Sequence, residues 1–141
     1  QTGGPEEIYR RPRTAFVADF VGSVNLVRAR RIDGPDGRPA ALVAGSLLAL
    51  ELRPEDGDDL LLAIRPETLR LAGQRAEPPA GRVRLLGEVV GRTYLGPTVR
   101  YRVRVADGEW LVDQPDPAGA PAREGAVAIL IDPARVHVVP G

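Results

Sequence analysis

A segment that occurs twice, once in the middle of the chain and once at its end, most strongly limits the folds open to this sequence. The first copy is residues 60–72 and the second is residues 128–139. Each copy has an apolar run, a charged residue followed by a proline, and a short alternating stretch. Because proline offers no N–H to a β-ladder and fixes its own φ, we expect the chain to bend out of a sheet at Pro66 and Pro133 and to resume a strand beyond each. The repeat predicts two related halves, each closed by one copy.

Short apolar stretches separated by turn residues make up the chain after residue 22, and this pattern favours an all-β fold. One of these stretches predicts a strand from Ser46 to Leu52. Glycines inside the long strand predicted for residues 83–94 are typical of corners in a closed sheet. A β-hairpin is predicted from residues 99–105 and 109–112, joined at Asp107 and Gly108, because an Asp-Gly turn matches the right-handed twist of strands. We therefore predict tandem small Greek-key barrels of OB-like type.

The predicted division of the chain follows from these patterns. Two short helices are predicted in residues 1–22, over residues 5–11 and 15–21, because Pro5 suits a first helical turn and Gly22 suits a helix exit. The boundaries are 1–22 for this helical segment, 23–73 for the first OB-like half, 74–81 for a joint and 82–141 for the second OB-like half.

Composition excludes several classes of chemistry. All nineteen basic residues are arginine, so the chain has no lysine for a P-loop, a Schiff base or a Ser-Lys hydrolase. The absence of cysteine excludes disulfides, thiolate metal sites and thiol nucleophiles. The net charge of zero gives no general attraction to nucleic acid or anionic lipid. The chain has no apolar run of membrane-spanning length and begins without a methionine, so we expect a soluble fragment.

Arg65 and Glu67, which flank Pro66, are the first candidates for a binding or catalytic pair. They could form an anion clamp or an acid–base pair. The second copy has Asp132 and Ala134 at the same positions, so we favour a surface turn whose charges are solvated or paired.

His137 is the only histidine and could be combined with Ser23 or Ser46 into a hydrolase triad. Neither serine lies in a Gly-x-Ser-x-Gly elbow, so a partly exposed strand histidine is the preferred interpretation. A zinc site would need mostly carboxylates, which zinc seldom accepts. The three aspartates of the loop before residue 60 could hold a hard cation, but their spacing lacks the distal glutamate of a calcium hand; they are Asp56, Asp58 and Asp59. We therefore expect no metal site.

Arginines alternate with apolar residues along several predicted strands. The clearest row is Arg100, Arg102 and Arg104, and the pairs Arg82 with Arg84 and Arg28 with Arg30 repeat the pattern. On an OB-like barrel, such a face together with Tyr94, Tyr101 and Trp110 would suit single-stranded nucleic acid. The zero net charge and the 4% aromatic content favour an ordinary polar outer face instead.

Several short motifs in a fixed order resemble one family. They are Gln1, Gly3, Pro5, Glu6, Glu7, Ile8 and Tyr9, then Pro12, Phe16, Val17, Ala18, Phe20, Gly22 and Asn25, then Ile64, Arg65, Pro66 and Glu67, and finally Tyr94, Leu95, Gly96 and Tyr101. This arrangement resembles the C-terminal part of ATP-binding subunits of bacterial ABC importers of the polyamine, ferric-iron and sugar group. In that family the tail carries the transport-associated OB (TOBE) domain.

The resemblance implies a non-catalytic regulatory and dimerisation domain on the cytoplasmic side of the cell membrane. Its implied partners are its own N-terminal ATPase domain, a second copy of the subunit and, indirectly, the membrane permease subunits. ATP and Mg²⁺ would belong to the missing ATPase domain, and no cofactor is expected in this chain. Asn25, Arg65 and Glu67 match family landmarks and are the candidate ligand or interface residues. The Asp132-Pro133 ending departs from the family pattern and weakens the case for a ligand shared by both halves.

Two alternatives to the regulatory domain remain open. One is a small-anion or small-molecule sensor with its ligand near Arg65, and the other, less favoured, is a single-stranded nucleic-acid-binding OB module.

Overall fold

The computed structural model describes residues 23–106, 108–116 and 122–140. Within these residues the chain forms ten strands and three 3₁₀ turns. The strands are β1 (Asn25–Asp33), β2 (Pro39–Val43), β3 (Ser46–Leu48), β4 (Asp59–Ile64), β5 (Arg70–Gly73), β6 (Val83–Leu95), β7 (Thr98–Val105), β8 (Gly108–Pro115), β9 (Gly125–Ile131) and β10 (His137–Val138). The 3₁₀ turns are Pro54–Asp56, Pro66–Thr68 and Pro133–Arg135. The all-β prediction is confirmed, whereas the two helices predicted over residues 5–11 and 15–21 lie outside the described residues.

The strands form two five-stranded antiparallel sheets that share one internal order. The first sheet runs β10-β4-β1-β2-β3 and the second runs β5-β9-β6-β7-β8. In each sheet a long strand, β1 or β6, pairs with its hairpin partner on one side and with β4 or β9 on the other. This is the strand order of an OB-like Greek-key barrel, and its repetition agrees with the predicted duplication.

The repeated segment changes sheets at its proline. β4 leads through Pro66–Thr68 into β5, which pairs with β9 in the second sheet. β9 leads through Pro133–Arg135 into β10, which pairs with β4 in the first sheet. Each copy therefore supplies a long strand to one sheet and a short strand to the other.

The two compact units consequently differ from the predicted halves. Among the described residues, one unit holds residues 23–64 and 136–140, and the other is drawn from residues 65–135. The prediction assigned residues 65–73 to the first half and residues 136–140 to the second. Proline explains the difference, because the 3₁₀ bonds from the N–H of Thr68 to the Arg65 carbonyl (3.0 Å) and from the N–H of Arg135 to the Asp132 carbonyl (2.9 Å) take the place of ladder bonds.

Each unit has its own apolar core. The fully buried side chains of the first unit include Val43, Leu48, Leu62 and Ile64. Those of the second include Leu69, Val99, Tyr101, Val103, Val112, Val127, Ile129 and Ile131. In β7 the alternation is strict, with the apolar residues inside and the arginines facing outward, as the period of two predicted.

Two strand ends differ from the predicted ones. β3 was predicted to reach Leu52 but ends at Leu48, after which the chain leaves the sheet. The predicted hairpin of β7 and β8 is present, but the pair that closes it is Val105 with Gly108, so the turn falls one residue earlier than expected. Ala106 makes this possible by adopting a left-handed φ of 52°, a conformation rarely expected of alanine.

Candidate functional site

The turn after β4 carries the predicted pair Arg65 and Glu67. The carbonyl of Arg65 accepts hydrogen bonds from both the N–H (3.0 Å) and the Oγ1 hydroxyl (2.7 Å) of Thr68. Pro66 is buried beneath the turn, Arg65 is half-buried and Glu67 is exposed. The turn is thus fixed by its own backbone, and its charged side chains lie at the surface of the second unit.

Next to this turn, Arg100 on β7 forms a two-pronged ion pair with Asp113 on β8. Nε lies 2.8 Å from Oδ1 and the terminal nitrogen lies 2.9 Å from Oδ2. The pair is largely shielded, since the two side chains are 27% and 12% exposed. The hydrogen-bonded Asp113 carboxylate raises the pKa of Arg100, partial burial opposes this, and the charges of Asp113 and Glu67 add to it. Arg100 therefore remains a cation, already matched by carboxylates.

Gln114 joins the two edge strands of the second sheet. Its side-chain oxygen accepts a hydrogen bond from the N–H of Leu71 (3.1 Å), and its side-chain nitrogen donates to the carbonyl of Leu69 (2.8 Å). The amide thus makes the donor and acceptor contacts that a neighbouring strand would make, between β8 and the segment that enters β5. Sequence analysis missed this residue, because nothing local distinguishes a glutamine whose partners lie 43 and 45 positions away.

Asn25, the third predicted site residue, begins β1 in the first unit. It pairs in register with Ile64 and is 7% exposed. No buried side-chain nitrogen or oxygen among the described residues lacks a hydrogen-bond partner. Asn25 is therefore a satisfied buried polar residue, and it belongs to a different compact unit from Arg65 and Glu67.

The row of arginines on β7 is paired with carboxylates across the strands. Besides the Arg100 pair, Nη1 of Arg102 lies 3.6 Å from Oε1 of Glu109, and Nη1 of Arg104 lies 3.3 Å from Oε1 of Glu88. Two of the three aromatic residues predicted for base stacking are internal, since Tyr101 and Trp110 are only 2% and 5% exposed, whereas Tyr94 is exposed. These observations match the interpretation as an ordinary polar outer face.

His137 and the loop aspartates lie in unremarkable surroundings. His137 is exposed on β10, opposite Ala63. The Asp56 carboxylate caps its own turn, accepting from the backbone N–H of Arg53 at 2.8 Å. Among the residues that the structure describes, no three histidine or carboxylate side chains gather as a metal site would require. In residues 23–106, 108–116 and 122–140, no helical segment has the length and hydropathy of a membrane span.

The first unit contains a groove of about 770 Å³ beside the β1–β2 turn. Its walls are the turn itself and the segment that follows β3. The lining residues are Gly34, Pro35, Asp36, Arg38, Pro39, Ala40, Leu47, Ala49, Leu50, Glu51 and Leu52. The volume lies in the range of small-molecule sites, and most of the lining is apolar with a few charged groups, as such sites usually are.

Comparison with known proteins places this architecture in a family. The family model for the TOBE domain matches residues 62–139, which begin in β4 and run through both copies of the repeated segment. The chain belongs to the TOBE-domain family. The resemblance stated from the motifs is thereby confirmed.

Relatives of known name agree with this assignment. A spermidine/putrescine import ATP-binding protein of Pseudomonas aeruginosa is 42% identical over 79% of this chain and 30% of its own length. One from Frankia alni is 38% identical over 77% of this chain and 25% of its own length. An Fe(3+) ions import ATP-binding protein of Brucella abortus is 31% identical over 82% of this chain and 31% of its own length. The chain thus spans about a quarter to a third of these relatives.

The fold also resembles that of a solved structure. The cytoplasmic molybdate-binding protein ModG, in its molybdate-bound form, superposes with a TM-score of 0.69 at 13% identity, over 86% of this chain and 99% of that chain. At this identity the likeness establishes the OB-like fold and no more.

Proposed function

We propose that this chain is the regulatory TOBE region of an ATP-binding subunit of an ABC importer, and that it helps to pair two such subunits. The observation that carries the proposal is the match to import ATP-binding proteins over 77% to 82% of the chain. The relatives named for spermidine and putrescine favour a polyamine-type importer, with iron- or sugar-type uptake as the wider class.

The region acts without catalysis of its own in this proposal. A P-loop needs a lysine to contact the β- and γ-phosphates, and the 141 residues contain none. ATP and Mg²⁺ would therefore be held by an ATPase domain joined to this region. The other partners would be a second copy of the subunit and, through the ATPase domain, the permease at the cytoplasmic face of the membrane.

The test is to compare the full-length subunit with a version that ends before residue 23. Retained ATP binding with weaker self-association in sedimentation, and an altered ATPase rate, is the expected result. Equal sedimentation and equal ATPase rates for the two proteins would overturn the proposal.

Anion sensing is the second candidate function, favoured by the molybdate-bound ModG neighbour. The second unit is the better place for it, because residues 65–135 hold eleven arginines and nine carboxylates. Arg65 and Glu67 are the proposed ligand or interface residues there, whereas Asn25 would act only as a support of β1. Calorimetry with molybdate and sulfate should show binding that Arg65→Ala weakens and that Arg75→Ala, at an exposed arginine of the same unit, leaves unchanged. Absence of binding to the unaltered chain would remove this candidate.

A further inference from the structure

The groove of the first unit exists because one hairpin of the duplicated fold is shortened. In the second unit β7 and β8 pair over their whole length, from Val105–Gly108 to Thr98–Pro115. In the first unit the pairing of β2 with β3 stops at Ala41 and Leu48, and residues 49–52 leave the ladder. The groove is the space between residues 49–52 and the start of β2. It is therefore a feature of this unit and has no counterpart in the β7–β8 ladder.

The apolar part of the groove is partly shielded from water. Leu47, Leu50 and Leu52 are half-buried, and Ala40 is buried at the base. Pro39 has no N–H, so an added peptide strand could not continue the ladder along this part of β2. The surface therefore suits an apolar group of a small molecule better than a paired β-strand.

The charged groups of the groove are predominantly acidic. Glu51 and Asp36 carry negative charge, and Arg38 is the opposing cation, with its Nε 3.9 Å from an Asp36 oxygen in a highly exposed pair. The described part of this unit has the same bias, since residues 23–64 and 136–140 hold five arginines and seven carboxylates. A cation is thus the complementary charge for this groove.

The outer wall of the groove is anchored at its far end. Arg31 donates from Nε to the carbonyl of Gly57 at 3.0 Å and from a terminal nitrogen to the carbonyl of Arg53. The N–H of Arg53 in turn donates to the Asp56 carboxylate at 2.8 Å. With β3 at one end and these bonds at the other, residues 49–52 are held beside the β1–β2 turn, which favours a preformed site.

We propose that this groove binds a small organic cation, with an apolar body against Leu47, Leu50 and Leu52 and an ammonium group beside Glu51. The site goes beyond the importer role proposed above, because it requires neither a second subunit nor an ATPase domain.

The experiment uses the isotope-labelled 141-residue chain and three probes that share one apolar body: n-hexylammonium, n-hexanol and n-hexanoate. Backbone amide signals of the non-proline residues in 34–40 and 47–52 should shift with hexylammonium, shift less with hexanol and remain nearly unchanged with hexanoate. Hexylammonium should bind roughly two- to five-fold more tightly than hexanol, as expected for one partly exposed charge contact. Added salt should reduce this difference.

Two variants separate the charge from the apolar contact. Glu51→Gln should abolish the preference for hexylammonium over hexanol, whereas Glu77→Gln, at an exposed glutamate of the other unit, should retain it. Leu50→Ala should weaken both probes, with the remaining amide signals showing that the fold persists. The proposal fails if hexanoate binds as tightly as hexylammonium, or if the Glu51→Gln variant still prefers hexylammonium over hexanol. It also fails if the amide signals of the groove respond to none of the three probes. If the uncharged peptide acetyl-Val-Leu-Val-amide bound to the groove more tightly than hexylammonium, this would also overturn the proposal, in favour of a protein partner.

Discussion

Gln114 shows how one side chain can complete a barrel that the backbone leaves open. Its amide contacts the N–H of Leu71 and the carbonyl of Leu69, and both groups lie in part-buried surroundings. Gln114→Ala should therefore leave a donor and an acceptor without partners and lower the free energy of unfolding by about 1–3 kcal/mol. Urea unfolding measures the loss, and faster hydrogen exchange at the Leu71 amide would locate it. Gln74→Ala, at an exposed glutamine of the same unit, is the control and should change stability by less than about 0.5 kcal/mol; equal effects of the two would contradict the bridging role.

The cross-strand ion pairs of β7 differ in burial, and their energies should differ accordingly. A double-mutant cycle on Arg100 and Asp113 should give a coupling energy of about 1–2 kcal/mol, because the pair is two-pronged and shielded. The same cycle on Arg102 and Glu109, which are 49% and 51% exposed, should give about 0–0.5 kcal/mol. Coupling that is equal in the two cycles would show that shielding does not decide the strength.

The effect of pH on the Arg100 pair has a definite sign. The fold raises the pKa of Arg100, so its contribution to stability is complete at every pH below the ordinary arginine range. This contribution is lost only as the pH rises above that range, through the raised pKa of Arg100 in the folded protein.

At the residue scale, the sequence predicted that Arg100 faces outward. It did not predict the partner of Arg100, because the contact with Asp113 depends on the register of β7 with β8.

At the scale of elements, β6 packs closely against β7 at Gly87. A Cβ built at Gly87 would lie 2.7 Å from Cγ1 of Val103 and 2.8 Å from the carbonyl oxygen of Arg104. Gly87→Ala should therefore force the strands apart and lower the free energy of unfolding by about 1–3 kcal/mol. Denaturant unfolding of the variant checks this loss.

Gly108→Ala is the matched control for Gly87→Ala. Gly108 also lies in a strand, β8, and a Cβ at this position meets no atom within 4 Å. The substitution should change the stability by less than about 0.5 kcal/mol. If both glycines tolerate alanine equally, close strand packing is not the reason for a glycine at position 87.

The elements themselves were largely predictable, and their ends less so. Alternating apolar residues predicted a strand over residues 99–105, and the observed β7 begins only one residue earlier, at Thr98. This agreement arises because the inner face of β7 is fully buried. The end of β3 was not predictable, since Ala49, Leu50 and Leu52 continue the apolar run although the chain has left the ladder there. These leucines instead line the groove, so the apolar run that predicted a strand marks a candidate binding site.

At the scale of the whole molecule, the duplication could be read from the sequence but the exchange of strands could not. The aligned Pro66 and Pro133 predicted where each strand would be interrupted, and both positions begin a 3₁₀ turn. The sheet that the chain joins afterwards depends on pairings between β5 and β9 and between β10 and β4, which are remote in sequence. Asn25, Arg65 and Glu67 were assigned by resemblance, and their functional role stays a prediction.

The exchange predicts which fragments of this chain fold independently. Residues 65–135 contain every strand of the second sheet in one stretch, so this fragment should unfold cooperatively in urea and give dispersed amide signals. A fragment of residues 82–141, cut at the boundary that the sequence favoured, lacks β5 and both hydrogen-bond partners of the Gln114 side chain in that segment, and should be markedly less stable than the 65–135 fragment.

A fragment of residues 23–64 lacks β10. It therefore lacks the bond from the N–H of Val139 to the Leu61 carbonyl (2.8 Å) and the buried Val139 side chain. Adding a peptide of residues 136–141 should therefore stabilise this fragment, while a peptide with Val139→Asp should not. If the 82–141 fragment proves as stable as the 65–135 fragment, strand exchange does not define the folding units.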